Sequence, residues 1–276
     1  MTPVQRARVL SIMVGLHVAT TGCTVVSKAH ALVRSTSEFV PSSADPRVMY
    51  EPGAESLAAT VAASLPESIK AVEASQYRPF VLPVSVYVCA TVDSFAAHTA
   101  NRSAGGHVIG RRLFISPKHE NTAERVPRIL THELSHLQID QQVSLLTVAE
   151  LPVWFAEGLG VFVSDGGGAE SVSEDQARAS ILVGQTFVPE TSGGVFWRKS
   201  ASSYGLAPHL FYREAAMFVG YLKRLDEARF KTLLLGVEDG GSFKSAFATA
   251  YSTDIESAWQ GFVAELREGR TTRQTR

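Results

Sequence analysis

Cysteine is nearly absent: the 276 residues hold two, Cys23 and Cys89. Two thiols cannot build the disulfide framework of a small secreted domain, so an apolar core must hold the fold. A surplus of either charge is absent as well. The formal net charge is −1, and charged residues make up 19% of the chain, below the roughly 25% usual in globular proteins. Without a basic excess to neutralise phosphates, the composition argues against nucleic acid as a partner. A membrane-spanning run is lacking where the chain begins. Val9 to Ala19 is apolar but is interrupted by His17, and it is too short to cross a bilayer.

That first stretch instead reads as an export signal. Arg6 and Arg8 form a positive region, residues 9–19 the apolar region, and Thr20, Thr21 and Gly22 a small-residue junction before Cys23. Thr20-Thr21-Gly22-Cys23 resembles a bacterial lipobox, with Thr20 where Leu is usual. Two outcomes stay open. Cys23 becomes the lipidated first residue of an envelope lipoprotein, which gives the chain its membrane contact, or the mature chain is freely secreted. With an acylated Cys23, Cys89 has no partner and reads as a small buried hydrophobe in an alternating apolar run. A Cys23–Cys89 disulfide requires that cleavage not fall between Gly22 and Cys23.

The rest divides by composition. Residues 1–22 are the signal and 23–49 a Ser- and Pro-bearing tether. Residues 50–268 form one domain, and 269–276 an Arg-rich disordered tail. Within the domain, residues 50–142 read as a small sheet with helices. Leu57, Val61, Leu65, Ile69 and Val72 keep helical spacing, with a kink expected at Pro66. Val84 to Cys89 alternates as a strand does, 91–98 reads as a capped helix, and 107–116 as a second strand. His98, His107 and His119 lack metal-type spacing partners and read as surface or loop histidines. Residues 143–268 read as mainly helical. Ser173-Glu174-Asp175-Gln176 is a capping box, residues 164–169 a flexible glycine run, and residues 184–207 a long irregular stretch bordering a cleft. The fold class is α+β.

One segment carries chemistry. Ile129-Leu130-Thr131-His132-Glu133-Leu134-Ser135-His136-Leu137 sets H-E-x-x-H into an apolar helical pattern over 124–142. Four residues apart on a helix, His132 and His136 leave the same face, where two imidazoles can bind one Zn²⁺. Glu133 lies about 100° further round, placed to take a proton from water without becoming a ligand. Asp140, one turn beyond His136, is either a solvated helix-end acid or an acceptor for a ligand histidine.

Two histidines do not complete a catalytic zinc site, which usually takes three protein ligands. The H-E-x-x-H-x-x-G-x-x-H extension fails, because Ile139 and Gln142 stand at its Gly and third-His positions. The remaining acid is Glu157 in Trp154-Phe155-Ala156-Glu157-Gly158, on an apolar helix begun by Pro152. A carboxylate there is costly unless it binds a metal or pairs with an arginine. Glu150 is a rival acid, read as lying in a loop before Pro152.

His132-Glu133-x-x-His136 followed by W-F-x-E-G around Glu157 resembles the gluzincin metallopeptidases, and most closely their peptidase MA-like branch. The resemblance spans roughly residues 80–265. It implies a mainly helical zincin subdomain after the sheet, with zinc between them on His132, His136 and Glu157. It implies hydrolysis of a peptide or protein substrate with Glu133 as general base, which the export signal would place at the cell envelope or outside it. It also implies a tyrosine hydroxyl on a later helix that stabilises the oxyanion. Tyr212 matches by placement, with Tyr204 and His209 as alternatives. The chain departs from thermolysin-like members at Val161, where they carry an Asp one turn after the ligand Glu. Two other roles use the same ligands: a zinc-containing binding or scaffold protein without hydrolysis, and a hydrolase of non-peptide amides or esters.

Overall fold

A computed structural model describes residues 27, 29–120, 122–193 and 198–269. The export signal, Cys23, Gly194, Phe196, Trp197 and the tail from residue 270 lie outside the described residues. The architecture is α+β, mostly helical, with one small sheet in the N-terminal half.

The sheet has five short strands: β1 (Val40–Pro41), β2 (Val48–Tyr50), β3 (Val86–Val88), β4 (Gly106–Ile109) and β5 (Arg112–Ile115), in the order β1-β2-β3-β5-β4. β2, β3 and β5 run parallel, and the outer pairs β1–β2 and β4–β5 are antiparallel. Alternation sorts the side chains between two faces. Val48, Val86, Val88, Leu113 and Ile115 point to one core, and Cys89 and Phe114 to the other. Over the first face lie α1 (Glu55–Gln76), which continues past Pro66, and α3 (Val126–Gln142). Leu57, Val61 and Leu65 of α1 meet Ile129, Leu130, Leu134 and Leu137 of α3 there. α2 (Val92–Thr99), capped by the Thr91 side chain, covers the second face through Phe95.

Two readings of the sequence are corrected here. Residues 38–49 are not tether: they supply β1, the first two residues of β2 and the buried ring of Phe39. Strands of two and three residues are too short to show a period. Residues 107–116 are not one strand but a hairpin, turning at Gly110 and Arg111 with φ of 58° and 62°. Positive φ at both turn positions matches the right-handed strand twist. Arg111 is held in that conformation while its guanidinium bonds the Asp140 and Val143 carbonyls at the end of α3.

The histidines also differ from expectation. His98 is buried, stacked on Phe114 at 5.1 Å and edge-on to Phe39 at 5.3 Å. Arg34 donates to its Nε2 at 3.4 Å, tying the segment before β1 to α2. His107 lies on β4 facing the cleft described below, and the side chain of His119 lies outside the described residues. Burial, then the Arg34 charge, hold the His98 imidazole below its ordinary value; Arg112 adds to this, while Glu51 and Glu38 oppose it. The folded chain therefore binds fewer protons at this ring than the unfolded chain. The contribution is present above the unfolded value of about 6.5 and is lost as pH falls below it. Amide exchange over residues 31–41, corrected for its intrinsic rate, is expected to accelerate on acidification in the native chain and not in His98→Gln. Equal pH dependence in both would contradict this clasp.

The C-terminal half is helical: α4 (Leu145–Glu150), α5 (Val153–Val163), α6 (Glu174–Leu182), α7 (Pro208–Leu225), α8 (Glu227–Glu238), α9 (Phe243–Tyr251) and α10 (Ile255–Arg267). Glu150, read as a loop residue, is the last residue of α4 and exposed. The Ser173–Gln176 capping box opens α6 with both reciprocal bonds made. An aromatic core joins these helices, with Trp154 at 5.2 Å from Phe218 and 6.0 Å from Phe187. Rings at these separations add roughly 0.5–1.5 kcal/mol each beyond the area they bury. Phe187, in the irregular stretch before α7, is therefore a core residue, and the Trp154 indole N–H fixes the same stretch through the Glu190 carbonyl at 2.9 Å.

Candidate metal centre

α3 begins with Pro127 in its first turn, where the missing N–H leaves no helical bond unmade. Its apolar stripe is buried against α1 and the sheet, which turns His132, Glu133 and His136 toward α5 and a cavity of about 630 Å³. α5 crosses α3 and brings Glu157 to the same point. His132 Nε2 and His136 Nε2 are 3.1 Å apart, and Glu157 Oε2 lies 3.4 Å from the first and 3.8 Å from the second. Donors on a tetrahedral zinc with bonds of about 2.0–2.1 Å stand roughly 3.3 Å from one another. Two imidazole nitrogens and one carboxylate oxygen at these spacings could hold a metal ion, and among the described residues this is the sole such group of three.

The charges are consistent with three donors aimed at one centre. Burial alone would raise the Glu157 carboxyl, but His132 and His136 overcome it and hold the carboxyl well below the usual carboxylate range. Burial likewise opposes a proton on His136; the hydrogen bond and charge of Glu157, with Glu133 and Asp140 behind them, bring it up to about 9. A proton there stands in for the positive charge that a metal would supply.

Val161 offers no side-chain acceptor to the ligand histidines, and a backbone carbonyl takes that place. His132 Nδ1 lies 2.9 Å from the Gly167 carbonyl, which can only accept, so Nδ1 carries a proton; in the neutral ring that a metal binds, the lone pair is then on Nε2, the nitrogen on the Glu157 side. The carbonyl is brought there by the glycine run after α5. That run is not a flexible loop: Gly166 N–H bonds the Val161 carbonyl at 2.9 Å, Ala169 is fully buried, and Arg213 holds the Ala169 and Val172 carbonyls. The contact needs glycine. A Cβ on Gly167 would meet the Arg128 carbonyl oxygen at 2.5 Å, and one on Gly160 of α5 would meet the His132 ring at 2.9 Å. In the sequence, Gly160 is marked only by its place in Glu157-Gly158-Leu159-Gly160, and Gly167 only by the glycine run it stands in.

Glu133 lines the cavity next to the three donors but is not one of them. Tyr212 of α7 lines it too, its ring centroid 6.5 Å from that of His132. Burial, then the charges of Glu157 and Glu133, push its hydroxyl far up, so it stays a donor. Tyr204 is elsewhere: its hydroxyl donates to the Val188 carbonyl at 3.0 Å and its ring stacks on Phe211. His209 reaches the cavity, but its Nδ1 is engaged by the Ser171 hydroxyl at 2.7 Å. Asp140 is half-buried at the cavity wall rather than solvated, and burial raises it to about 6 against the pull of His136, Arg111 and Arg198. Arg198, from the irregular stretch, lines the same cavity and donates to the Leu151 carbonyl at 3.3 Å. Neither a scan against protein-family models nor a search of curated proteins finds a match to this chain.

Proposed function

We propose that the chain is an exported, gluzincin-like zinc metallopeptidase of the cell envelope, anchored through Cys23 where the signal is processed there. One observation carries the reading: His132, His136 and Glu157 converge at 3.1–3.8 Å on a cavity wall that also presents Glu133 outside the trio. A Zn²⁺ held by the trio would polarise a scissile carbonyl and lower the pKa of a water towards ~7.

The chain's own groups do the rest. Glu133 takes the proton of the attacking water and passes it to the leaving amine. Tyr212, kept protonated by its surroundings, donates to the carbonyl oxygen as it becomes tetrahedral. The Gly167 carbonyl holds the His132 ring in the one tautomer that leaves Nε2 free. The cavity is large enough for several residues of an extended chain, since ligand pockets commonly run about 300–1,000 Å³.

The test is cleavage of a peptide library by the full chain, beside matched non-peptide amides and esters. Peptide cleavage that is abolished by a chelator and restored by zinc is the expected result. Turnover of only the non-peptide substrates would reassign the substrate class. Zinc retention with no turnover of any substrate would make the protein a zinc-bearing binding module.

A further inference from the structure

The exposed apolar side chains are not scattered. Among the described residues, ten large hydrophobic side chains are exposed, and six of them, Leu32, Val33, Val81, Leu82, Leu145 and Leu146, lie on segments tied to the C-terminal end of α3. Val33 is 82% exposed, Leu145 66% and Leu146 59%. Hydrogen bonds and close contacts tie these segments to the helix end. The Leu82 N–H bonds the Gln141 side chain at 2.9 Å, and Gln142 holds the Pro79 carbonyl at 2.9 Å. α4, with no buried residue, starts three positions after α3 ends and carries Leu145 and Leu146. On the other side Arg111 grips the Asp140 and Val143 carbonyls, and the neighbouring Gly110 abuts Leu32. Arg112 donates to the carbonyls of Ala31, Leu32 and Arg34, fixing the helical turn at residues 29–33 in this place.

Two further features distinguish this end. Arg34, Arg111 and Arg112 make no direct ion pair among the described residues; backbone carbonyls and His98 hold their guanidinium groups beside Leu32 and Val33, with Asp140 the carboxylate that Arg111 acts on. The chain also continues from here toward its N-terminus. Cys23 is nine residues before Leu32, so it lies at most about 30 Å away even if fully extended. Exposed apolar side chains flanked on the Leu32 side by three guanidinium groups, on the segment from which the chain runs back to its apolar N-terminal stretch, are what an interfacial surface needs. Methylenes enter the acyl boundary while arginines meet anionic headgroups.

We propose that this end of the molecule is a lipid-facing surface that seats the folded domain on an anionic bilayer. It adds to any N-terminal anchor and does not depend on the catalytic reading. Among the described residues no helix is long and apolar enough to cross a membrane, so the contact is peripheral. α4 has a second consequence. It sends Leu145 and Leu146 outward and Val148 into the cavity wall, which places the cleft within about one helix diameter, ~10 Å, of the lipid.

The test is hydrogen exchange of the full chain with and without vesicles of phosphatidylcholine and phosphatidylglycerol. Protection is expected at residues 29–34, 79–83 and 144–147, and none at α9. Leu145→Asp combined with Leu146→Asp should remove the protection at 144–147 and lower the vesicle-bound fraction several-fold, while circular dichroism stays unchanged. Vesicle binding without protection of these segments would overturn the proposal. So would the same protection appearing without vesicles as protein concentration rises, which would assign the surface to a second copy of the chain.

Discussion

Glu133→Gln is expected to keep the zinc and lose hydrolysis, with kcat falling by roughly 10²–10⁴-fold, the range a positioned general base supplies. The substitution preserves shape, which matters at this position. Glu133 is nearly fully buried, and its Cγ lies where a Cβ on Gly106 of β4 would come within 2.5 Å. Gln fits the same space and still fills the cavity wall. It cannot take a proton from water, so the attacking group is not generated and the leaving amine receives no proton. Because Glu133 is outside the donor trio, metal content should stay at the native level. Steady-state kinetics with zinc analysis on one preparation checks both halves. Native turnover in the variant would refute the assignment of Glu133, and loss of metal would make it a ligand.

Glu157→Ala should act in the opposite order, with metal lost first and activity lost as a result. Its carboxylate oxygen is the sole anionic donor of the trio, and α5 brings it to a point 3.4 Å and 3.8 Å from the two imidazole nitrogens. Outer partners of metal ligands already cost 10–100-fold in affinity when removed, so a direct donor should cost at least about 100-fold. The two imidazoles left behind resemble an incomplete site that exchanges its ion freely. Zinc competition with a chromophoric chelator measures this. An unchanged affinity would move the third ligand to another side chain and undo the two-helix geometry proposed here.

The parts of the site that could be read in the sequence are those fixed by local periodicity. The helical period puts His132 and His136 on one face whatever the tertiary fold. Glu157 stands out because a carboxylate amid Trp154, Phe155 and Leu159 is costly unless compensated. Each helix from α5 to α10 carries a cap, a proline start or a strong apolar stripe, and each could be anticipated within a few residues. What escaped is non-local or has no side chain. The Gly167 carbonyl that orients His132 leaves no trace in sequence, because every residue has a carbonyl; only close packing against Arg128 reveals why glycine is needed. The hairpin turn at Gly110-Arg111 lacks the Asn-Gly or Asp-Gly signature, since Arg111 is held at positive φ by bonds to the far end of α3. His98 is a core residue only because Phe39, from 59 residues earlier, closes over it.

Zinc-edge X-ray absorption on the zinc-loaded full chain decides whether one metal ion sits on His132, His136 and Glu157. One zinc per chain is expected, in a nitrogen and oxygen shell at about 2.0–2.1 Å with the outer-shell scattering of two imidazoles. In Glu157→Ala, residual zinc should lose an oxygen donor while keeping both imidazoles. A native chain that retains no zinc after gel filtration, or a shell with fewer than two imidazoles, would contradict it.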